Sequence, residues 1–414
     1  MRLAPASALL AALGLAGCAV PYGSPSMGAG PGAPQGLTGG GAAALPAPAG
    51  SRVAILAPIT GPYAGIATEL VNAAKLGLGA TGGSGLDVLD TGGTPQGAVA
   101  AAQKAIADGA GVIIGPLTNS EAAAVAGVTG PAHVDVLALT SDSSVARPGL
   151  WALGITPAEQ VRALTQAASA QGHGQVAALL PENPLGDAMA RALQNAGGNG
   201  QVQTYSSFSS MNSALRSLSD YAGRRGPIDA QIKSLRGSHT VEGRREAAKL
   251  ARTPIPPPPF QALLVAETGS GLGELASLMP YYDVNPGPVL VLGPGLWAAN
   301  PAAVAAAGFR GALYAAPDPA VGASFQSSYA QAYGGAPSGI AAIAFDAGAI
   351  ARVTTQNGQI DQAALTNPSG FAGADGLVAL GADGSVKRGL AVFQVSQDGA
   401  QIVQPAPKSF ASGS

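Results

Sequence analysis

The strongest constraint on the fold of this chain is a regular alternation of short apolar runs with longer segments of helical periodicity. The first run, residues 52–59 (RVAILAPI), has the length and continuous apolarity of a strand buried on both faces of a sheet. The segment after it repeats apolar residues at helical spacing, such as Ile66, Leu70 and Ala74. Strands that alternate with helices in this way predict βαβ crossovers and parallel sheets covered by helices. Further strand segments are LDVLDTGG, GVIIGPL and DVLALT and, in a second series that begins near Thr156, QVAALLP, QVQTYSSF, FQALLVAE and PVLVLGPGLW.

The size of the chain predicts two lobes of this α/β class. Of the 414 residues, about 360 remain after a low-complexity N-terminal segment, which is more than one hydrophobic core usually holds. Hydrophobic residues make up 47% of the chain and charged residues 11%, with a net charge of -2. A nearly neutral chain has no overall field that would attract nucleic acid, so we expect no nucleic-acid partner.

The N-terminus has the features of a secretory signal peptide that ends at the single cysteine of the chain. A basic start (MR) precedes the apolar run 8–15, which is too short to span a bilayer permanently. The sequence LAGC at 15–18 resembles the bacterial lipobox, in which the cysteine is acylated and cleavage falls just before it. We therefore predict a signal peptide over residues 1–17 and lipidation of Cys18. A buried free thiol is the alternative, but nothing around Cys18 could bury it once the apolar run is removed.

A predicted tether follows the lipidation site. Residues 18–50 consist mostly of Gly, Pro, Ala and Ser and carry no charged residue. Such a segment lacks the apolar surface that would offset the entropy of ordering it, so we predict a disordered tether that holds the folded part away from a membrane. By resemblance to the lipoprotein sorting rule, Ala19 implies anchoring in the outer membrane of a bacterial envelope, facing the periplasm.

Four motifs occur in an order and spacing that resemble the type I periplasmic binding protein family, in its leucine-binding-protein branch. They are VAILAPITGPYAG, LDTGGTPQGAVAAAQKAIADGAGVIIGPLTNSE, FQALLVAETGSGLGELASLMPYYDV and VLVLGPGLW, and the resemblance spans residues 51–405. More narrowly, the chain is similar to the lipoproteins known as penicillin-binding protein activators. The resemblance implies two Rossmann-like lobes joined by three crossovers. Lobe I would comprise residues 51–155 and 318–368, and lobe II residues 156–317 and 369–405.

Polar residues that follow the predicted strands indicate a candidate ligand cleft. Ligands of doubly wound sheets bind beyond the carboxyl ends of the strands, where helix N-termini favour anions. The resemblance implies that Asn119, Ser143 and Ser144 would hold the backbone of an amino acid. It also implies that Glu267 would pair with the ammonium group. Helix capping by the hydroxyl groups is the alternative, because it needs no ligand. The candidate ligand-cleft residues are Asn119, Ser120, Ser141, Ser143, Ser144 and Glu267.

Two positions depart from the pattern of the amino-acid-binding members of this family. Those members carry an aromatic residue on the first loop of each lobe, where this chain has Ile66 and Leu185; Tyr63 lies three residues before Ile66. Aromatic walls supply a large and rigid contact area. We therefore expect little affinity for a free amino acid, while a different small ligand stays open.

One stretch of the chain is much more basic than the rest. Residues 211–259, the basic segment, hold nine of the 21 Lys and Arg residues and four Asp and Glu residues, and end in the run PIPPPP, which predicts extended polyproline. A solvated helical insertion is one interpretation. The other is a contact surface for a protein partner, since the planar guanidinium group is favoured at interfaces. The candidates for that surface are Arg224, Arg225, Arg244 and Arg245.

The sequence offers little support for catalysis, a metal site or a cofactor. Cys18 has no second cysteine to accompany it, and His133, His173 and His239 are isolated, so a structural zinc site is nearly excluded. The histidines form no triad, and no serine lies in a nucleophile-elbow pattern. The GSGLGE motif at 269–274 resembles a dinucleotide fingerprint, but glycines there also serve helix–strand packing. We therefore predict a protein that is not an enzyme and has neither cofactor nor metal.

Two classes of function follow from these features. The first is a non-catalytic envelope lipoprotein that regulates a peptidoglycan synthase, a penicillin-binding protein, through its surface. The second is the solute-binding protein of an ABC importer for an amino acid or a similar small ligand. The outer-membrane sorting residue, the narrower resemblance and the absent aromatic wall favour the first.

Overall fold

The computed structural model describes residues 35–36, 52–79, 86–198, 200–285, 287–355 and 360–410. The predicted signal peptide, Cys18 and most of the predicted tether lie outside these residues. The strands are β1 (Gln35–Gly36), β2 (Arg52–Ala57), β3 (Leu86–Asp90), β4 (Ala110–Ile114), β5 (Asp135–Ala138), β6 (Leu150–Ala152), β7 (Val176–Pro181), β8 (Val202–Tyr205), β9 (Ala262–Val265), β10 (Leu290–Gly293), β11 (Leu313–Ala316), β12 (Phe371–Gly373), β13 (Gly376–Leu380), β14 (Val386–Arg388), β15 (Ala391–Ser396) and β16 (Gly399–Gln404). The α-helices are α1 (Ala64–Leu78), α2 (Pro95–Ala107), α3 (Asn119–Thr129), α4 (Pro157–Ala170), α5 (Pro184–Asn195), α6 (Phe208–Leu218), α7 (Tyr221–Gly237), α8 (Val241–Leu250), α9 (Ser270–Leu278), α10 (Pro301–Ala306), α11 (Pro319–Tyr333), α12 (Gly339–Thr355) and α13 (Gln362–Leu365).

The first sheet consists of five parallel strands in the order β3-β2-β4-β5-β6, as the apolar runs predict. Successive residues of β2 enter cores on opposite faces of this sheet. Val53 and Ile55 pack in the core that contains α1 and α12, whereas Ala54 and Leu56 pack in the core that contains α2 and α3. Because both faces are covered, the strand shows continuous rather than alternating apolarity.

The second sheet has seven strands in the order β16-β15-β11-β10-β9-β7-β8. The five strands from β11 to β8 run parallel, and β15 and β16 add an antiparallel edge. Helices α4 and α5 cover one face, and α6, α9 and α10 cover the other. The antiparallel edge was not predicted. The pairing of β15 with β16 is antiparallel because a short turn at residues 397–398 joins them.

Three connections carry the chain between these parts, in agreement with the predicted three crossovers. Residues 153–156 lead from β6 to α4, residues 317–318 from β11 to α11, and residues 389–390 from β14 to β15. The first and third connections lie side by side, because Nε of Arg388 donates to the carbonyl oxygen of Leu153 at 2.8 Å. We call these three connections the junction.

A small third sheet, in the order β1-β12-β13-β14, lies next to the first. Its buried side chains, among them Phe371, Val378 and Leu380, belong to the core that contains α1 and α12. Strands β15 and β16 instead extend the second sheet. The stretch predicted as lobe II, residues 369–405, thus contributes to both parts, and the change falls at residues 389–390. The residue boundaries of the lobes stay a prediction.

The basic segment is helical. Helix α6 packs into a core of the second sheet through Met211, Leu215 and Leu218. Helices α7 and α8 pack against each other, and of their side chains only a few are buried. We call α7 and α8 the basic hairpin. The run PIPPPP after it forms neither helix nor strand.

Candidate functional site

A cavity of about 760 Å³ lies where the junction meets the first sheet, and we call it the junction cavity. Its walls are largely apolar: Leu117 and Leu139 follow strands β4 and β5, Ile155 lies in the first connection, and Ile340 and Ile343 begin α12. Of the described lining residues, only Ala298 lies in the chain between the first and second connections. Its polar lining residues are Thr140, Ser141, Asp318, Gln326 and Asp375.

The structure does not bring the predicted ligand-cleft residues together around this cavity. Ser141 lines it. Asn119 and Ser120, at the start of α3, do not; Nδ2 of Asn119 donates to Oδ2 of Asp142 at 3.0 Å. The other carboxylate oxygen of Asp142 accepts the backbone N–H of Ser144 at 2.9 Å. Asp142 therefore caps the short 3-10 helix at 143–145 through its carboxylate and ties it to α3, whereas the helix-capping interpretation expected hydroxyl groups in this role.

Ser143 lines a second and smaller cavity of about 300 Å³. Thr156 and Glu159 also line it, and together they form a capping box at the start of α4. Burial raises the pKa of Glu159 to about 7, against the opposing charge of Arg162. Ser141 and Ser143, although two residues apart, thus line different cavities, and their role in holding a ligand stays a prediction.

Glu267 is engaged within the second sheet. Its carboxylate accepts the hydroxyl of Tyr205, and its backbone carbonyl accepts Nε1 of Trp297 at 2.9 Å. Burial and, next, the bond to Glu267 raise the pKa of Tyr205. Glu267 does not line the junction cavity. These contacts give Glu267 a structural role. That Glu267 pairs with the ammonium group of a ligand stays a prediction.

The two positions that lack the family's aromatic residues belong to the cores. Ile66 is half-buried against the core that contains α1 and α12, and Leu185 is half-buried against the core that contains α4 and α5. Tyr63, just before α1, is 43% exposed and does not line the junction cavity. Neither side chain at these two positions therefore forms the wall on which an amino-acid ligand would stack.

Sequence reasoning missed a cluster of buried charges at the junction. Asp346 on α12 is fully buried; its Oδ1 accepts the N–H of Ala374 at 2.6 Å and its Oδ2 accepts Nη1 of Arg388 at 3.1 Å. Burial raises the pKa of Asp346, and Arg388 opposes that shift. Burial and the nearby Asp346 raise the pKa of Asp375, on the turn after β12, to about 7. We call Asp346, Asp375 and Arg388 the junction charge cluster.

A sequence signal for this cluster did exist. Asp346 is the single charged residue in the otherwise apolar run GIAAIAFDAGAIA at 339–351, and a lone carboxylate on a helix that is apolar all round must be paired. Its partner Arg388 lies 42 positions later on a different element. Nothing local in the sequence connects the two.

The basic hairpin corrects one partner-surface prediction. The expectation that Arg224 lies on the surface is wrong: it is 8% exposed, and its guanidinium donates to the carbonyl oxygens of Ser219, Pro256 and Tyr282 at 2.7, 2.8 and 2.7 Å. Burial lowers the pKa of Arg224. Its donors are used to fasten α7 to the neighbouring loops, so they are not free for a partner.

The other three predicted partner-surface residues do reach solvent. The side chain of Arg225 is 25% exposed and pairs with Asp229 at 2.9 Å, and Arg244 and Arg245 are exposed on α8. Around them lie more exposed basic side chains than acidic ones. The exposed basic residues of this surface besides Arg244 and Arg245 are Lys233, Arg236, Lys249 and Arg252, and the exposed acidic ones are Asp220, Asp229, Glu242 and Glu246.

Among the residues that the structure describes, no group of three or more His, Cys, Asp and Glu side chains is placed to hold a metal ion. None of the described helices is long and apolar enough to cross a membrane.

The two large sheets, each with helices on both faces, and the three connections between them have counterparts in known proteins. Residues 51–228 match the family model for periplasmic binding proteins. The chain has the type I periplasmic binding protein fold. No curated protein sequence shows significant similarity to it. The fold is shared with the leucine-binding protein LivK of Thermotoga maritima at 16% identity and a TM-score of 0.51, over 85% of this chain and 97% of LivK.

The regulator LpoA of Haemophilus influenzae has the same fold. Full-length LpoA aligns at 15% identity and a TM-score of 0.58 over 86% of this chain, which spans 59% of that protein. The C-domain of LpoA, described as a regulator of PBP1A, aligns over its whole length and 85% of this chain at 16% identity and a TM-score of 0.55. At these identities the likeness establishes the fold, which both binding proteins and regulators use.

Proposed function

We propose that this protein is a non-catalytic envelope lipoprotein that regulates a peptidoglycan synthase through its surface. The proposal rests on the surroundings of the residues that were predicted to contact an amino-acid ligand. Two of them, Asn119 and Glu267, are hydrogen-bonded to other side chains of the protein, and the serines Ser141 and Ser143 line different cavities. A protein that delivers amino acids must grip its ligand between both lobes, whereas a regulator that acts through its surface needs no such grip.

Two further observations support this function. The C-domain of LpoA, a regulator, shares the fold over its entire length. The basic hairpin presents Arg225, Arg244 and Arg245 to solvent with an excess of positive charge, which suits a partner with an acidic face. The partner that we propose is a membrane-anchored penicillin-binding protein, and the contact surface is the basic hairpin.

Capture of penicillin-binding proteins tests the proposal. The folded protein is immobilised and incubated with solubilised envelope proteins. The retained proteins are then labelled with a fluorescent penicillin, which marks penicillin-binding proteins, and are distinguished by their size. We expect one labelled synthase to be retained, and the variant Arg225→Glu, Arg244→Glu, Arg245→Glu to lose most of that signal. The control reverses three exposed basic residues elsewhere, Arg310, Lys387 and Lys408, and should retain it. Equal loss in both variants, or no labelled protein with the wild type, would contradict the proposal.

Solute binding is the second candidate function, and the junction cavity favours it. Its volume of about 760 Å³ lies in the range of small-molecule sites. A ligand at a hundred times its dissociation constant stabilises a protein by about 2.7 kcal/mol through mass action. We expect the common amino acids to leave the melting temperature unchanged. A clear shift with one of them, abolished by changing Ser143 and Ser144 and insensitive to the arginine substitutions, would favour transport instead.

The lipid anchor needs a separate experiment. Cys18 would carry the acyl chains, and only a thiol accepts them. We expect Cys18→Ser expressed in a bacterial host to lose incorporation of an acyl-chain probe, with the wild type labelled in parallel. A mutant that is still labelled would overturn the lipoprotein part of the proposal.

A further inference from the structure

Strand β16 forms an outer edge of the second sheet. Among the described strands only β15 pairs with it. Its residues 401–404 are exposed, and they include two apolar side chains, Ile402 at 41% and Val403 at 42% exposure. An edge strand of this kind presents backbone N–H and C=O groups to which another strand can add.

The contacts of β15 show in which direction its own backbone groups point. The N–H of Val395 donates to the carbonyl oxygen of Ala312, and the carbonyl oxygen of Val395 accepts the N–H of Gly311, both at 2.9 Å. Both backbone groups of Val395 thus face the side of β11. Since backbone groups alternate between the two sides of a strand, those of Gln394 and Ser396 face β16.

The register between β15 and β16 then fixes the outward groups of the edge strand. Gln394 and Ser396 pair with Gln401 and Gly399, whose backbone groups therefore face β15. By the same alternation, the residues Ala400 and Ile402 direct their N–H and C=O groups away from the sheet. The irregularity in the pairing falls beyond Ile402, so it leaves this part of the edge regular.

A second copy of the same strand satisfies these outward groups. If a two-fold axis passes through Gln401, the antiparallel pairing sets Ala400 of one copy opposite Ile402 of the other. These two residues exchange both hydrogen bonds, and the two-fold axis repeats the pair on its other side. Gln401 then lies opposite the same residue of the other copy, and the two side-chain amides can donate to each other.

Charge and shape also favour a second copy. Strand β16 has no charged residue, and the nearest ones in the sequence are Asp398 before it and Lys408 after it. Antiparallel pairing directs the acidic end of each strand towards the basic end of the other, whereas parallel pairing would align like charges. Helix α10 packs against β15 and β16, and its exposed side chains are Ala302, Ala303 and Ala306, which leave room beside the edge.

We propose that two copies of this protein form a dimer in which their β16 strands pair antiparallel about Gln401. The dimer joins the two seven-stranded sheets into one continuous sheet and covers Ile402 and Val403. The inference does not rest on the proposed regulation of a synthase, because it uses none of the basic hairpin.

Analytical ultracentrifugation over a range of protein concentrations tests the proposal. The parent protein is Cys18→Ser, so that no acyl chain drives association, and we expect its mass to rise from monomer to dimer. Ile402→Pro removes the outward N–H of each copy without removing a bond to β15. Because two hydrogen bonds between the copies are lost, dimerisation should weaken by about tenfold or more.

Ile402→Val keeps the N–H and is the matched control, which should dimerise like the parent. A parent protein that stays monomeric would overturn the proposal. Equal dimerisation of the Ile402→Pro and Ile402→Val variants would also overturn it, because association would then use another surface.

A disulfide crosslink locates the axis independently. In the Cys18→Ser parent, Gln401→Cys provides a single thiol that lies opposite its counterpart in the dimer, with Cβ atoms about 4.5–5.5 Å apart, within reach of a disulfide after a small adjustment. We expect mild oxidation to convert most of this variant to a covalent dimer on a non-reducing gel. Gln331→Cys, at an exposed position on α11, is the matched control and should stay monomeric. No crosslink through Gln401→Cys, or equal crosslinking of both variants, would contradict the proposal.

Discussion

The junction and the basic hairpin use the same kinds of side chain in opposite ways. At the junction, Arg388 and Asp346 are 3% and 0% exposed. Nη1 of Arg388 donates to Asp346 and Nε donates to the carbonyl oxygen of Leu153, whereas Nη2 is buried without a hydrogen-bond partner among the described residues. On the basic hairpin, Arg244 and Arg245 are exposed. Removing a charge from water costs several kcal/mol, whereas a charge left in water costs nothing and is screened by salt. Buried charges are therefore committed to the fold, and exposed charges are available to a partner.

Helix α7 contains both cases in neighbouring residues. Arg224 is buried and bonded to three carbonyl oxygens, and Arg225 forms one ion pair at the surface. The difference shows that a basic residue cannot be assigned to a partner surface from composition alone. Which face of the helix it occupies decides its role.

The largest expected effect on stability comes from removing the buried ion pair between Arg388 and Asp346. Arg388→Ala leaves Asp346 buried without its ion-pair partner, and we expect the free energy of unfolding to fall by about 3–5 kcal/mol. Adding Asp346→Asn should recover part of this loss, because the amide still accepts the N–H of Ala374 without a buried charge. The exposed neighbour Lys387→Ala is the control, with an expected change below about 0.5 kcal/mol in urea unfolding. Similar losses of stability in Arg388→Ala and Lys387→Ala would contradict the prediction that the buried arginine contributes more stability than the exposed lysine.

The second prediction uses the two arginines of α7. Arg224→Ala removes the donors of three carbonyl oxygens, and we expect a loss of about 2–3 kcal/mol. Arg225→Ala removes one exposed ion pair and should change stability by no more than about 0.5 kcal/mol. Thermal and urea unfolding of both variants measure the contrast. An equally stable Arg224→Ala variant would mean that its bonds do not fasten α7.

The third prediction concerns pH. The pKa of Asp375 is about 7 in the folded protein and 3.8 in the unfolded chain, so the folded state binds the proton more tightly. The contribution of Asp375 to the free energy of unfolding therefore falls as the pH rises from 3.8 to 7. Asp375→Asn removes that loss. We expect the variant to match the wild type near pH 4, to exceed it by about 2 kcal/mol near pH 5.5, and to exceed it by more as the pH rises towards 7. Glu159 titrates in the same window but is present in both proteins and cancels from the difference. A stability difference that does not change with pH would contradict this assignment.

The smallest expected effect lies at an exposed carboxylate that is nevertheless hydrogen-bonded. Oδ1 of Asp90 accepts the N–H of Gly92 at 2.8 Å, and Oδ2 accepts the hydroxyl of Thr60 at 2.6 Å; the Thr60 bond lowers the pKa of Asp90. We expect Asp90→Ala to lower stability by about 1 kcal/mol through lost turn contacts. Asp108→Ala, which removes only an exposed pair with Lys104, should lower it less. An unchanged melting temperature in Asp90→Ala would show that these exposed hydrogen bonds do not contribute to stability.

The sequence by itself determined the fold class and the order of its elements. Continuous apolar runs such as residues 52–57 (β2) reveal strands buried on both faces, and the apolar spacing of α1 reveals the helix that covers them, because both patterns arise from neighbours in the chain. The turn before Thr94 and the caps at Thr118 and Thr156 likewise follow from local residue types. These features depend on contacts within a few residues, which the order of amino acids records directly.

Only the tertiary structure decided which polar side chains meet. It pairs Asp346 with Arg388, which lies 42 positions later, and places Asp375 near both residues. Asp375 lines a cavity that no local sequence pattern predicts. It also turned Arg224 inward and set Ser141 and Ser143 toward different cavities. Long-range packing sets these neighbourhoods, and the cost of burying a charge then depends on the partners that packing supplies.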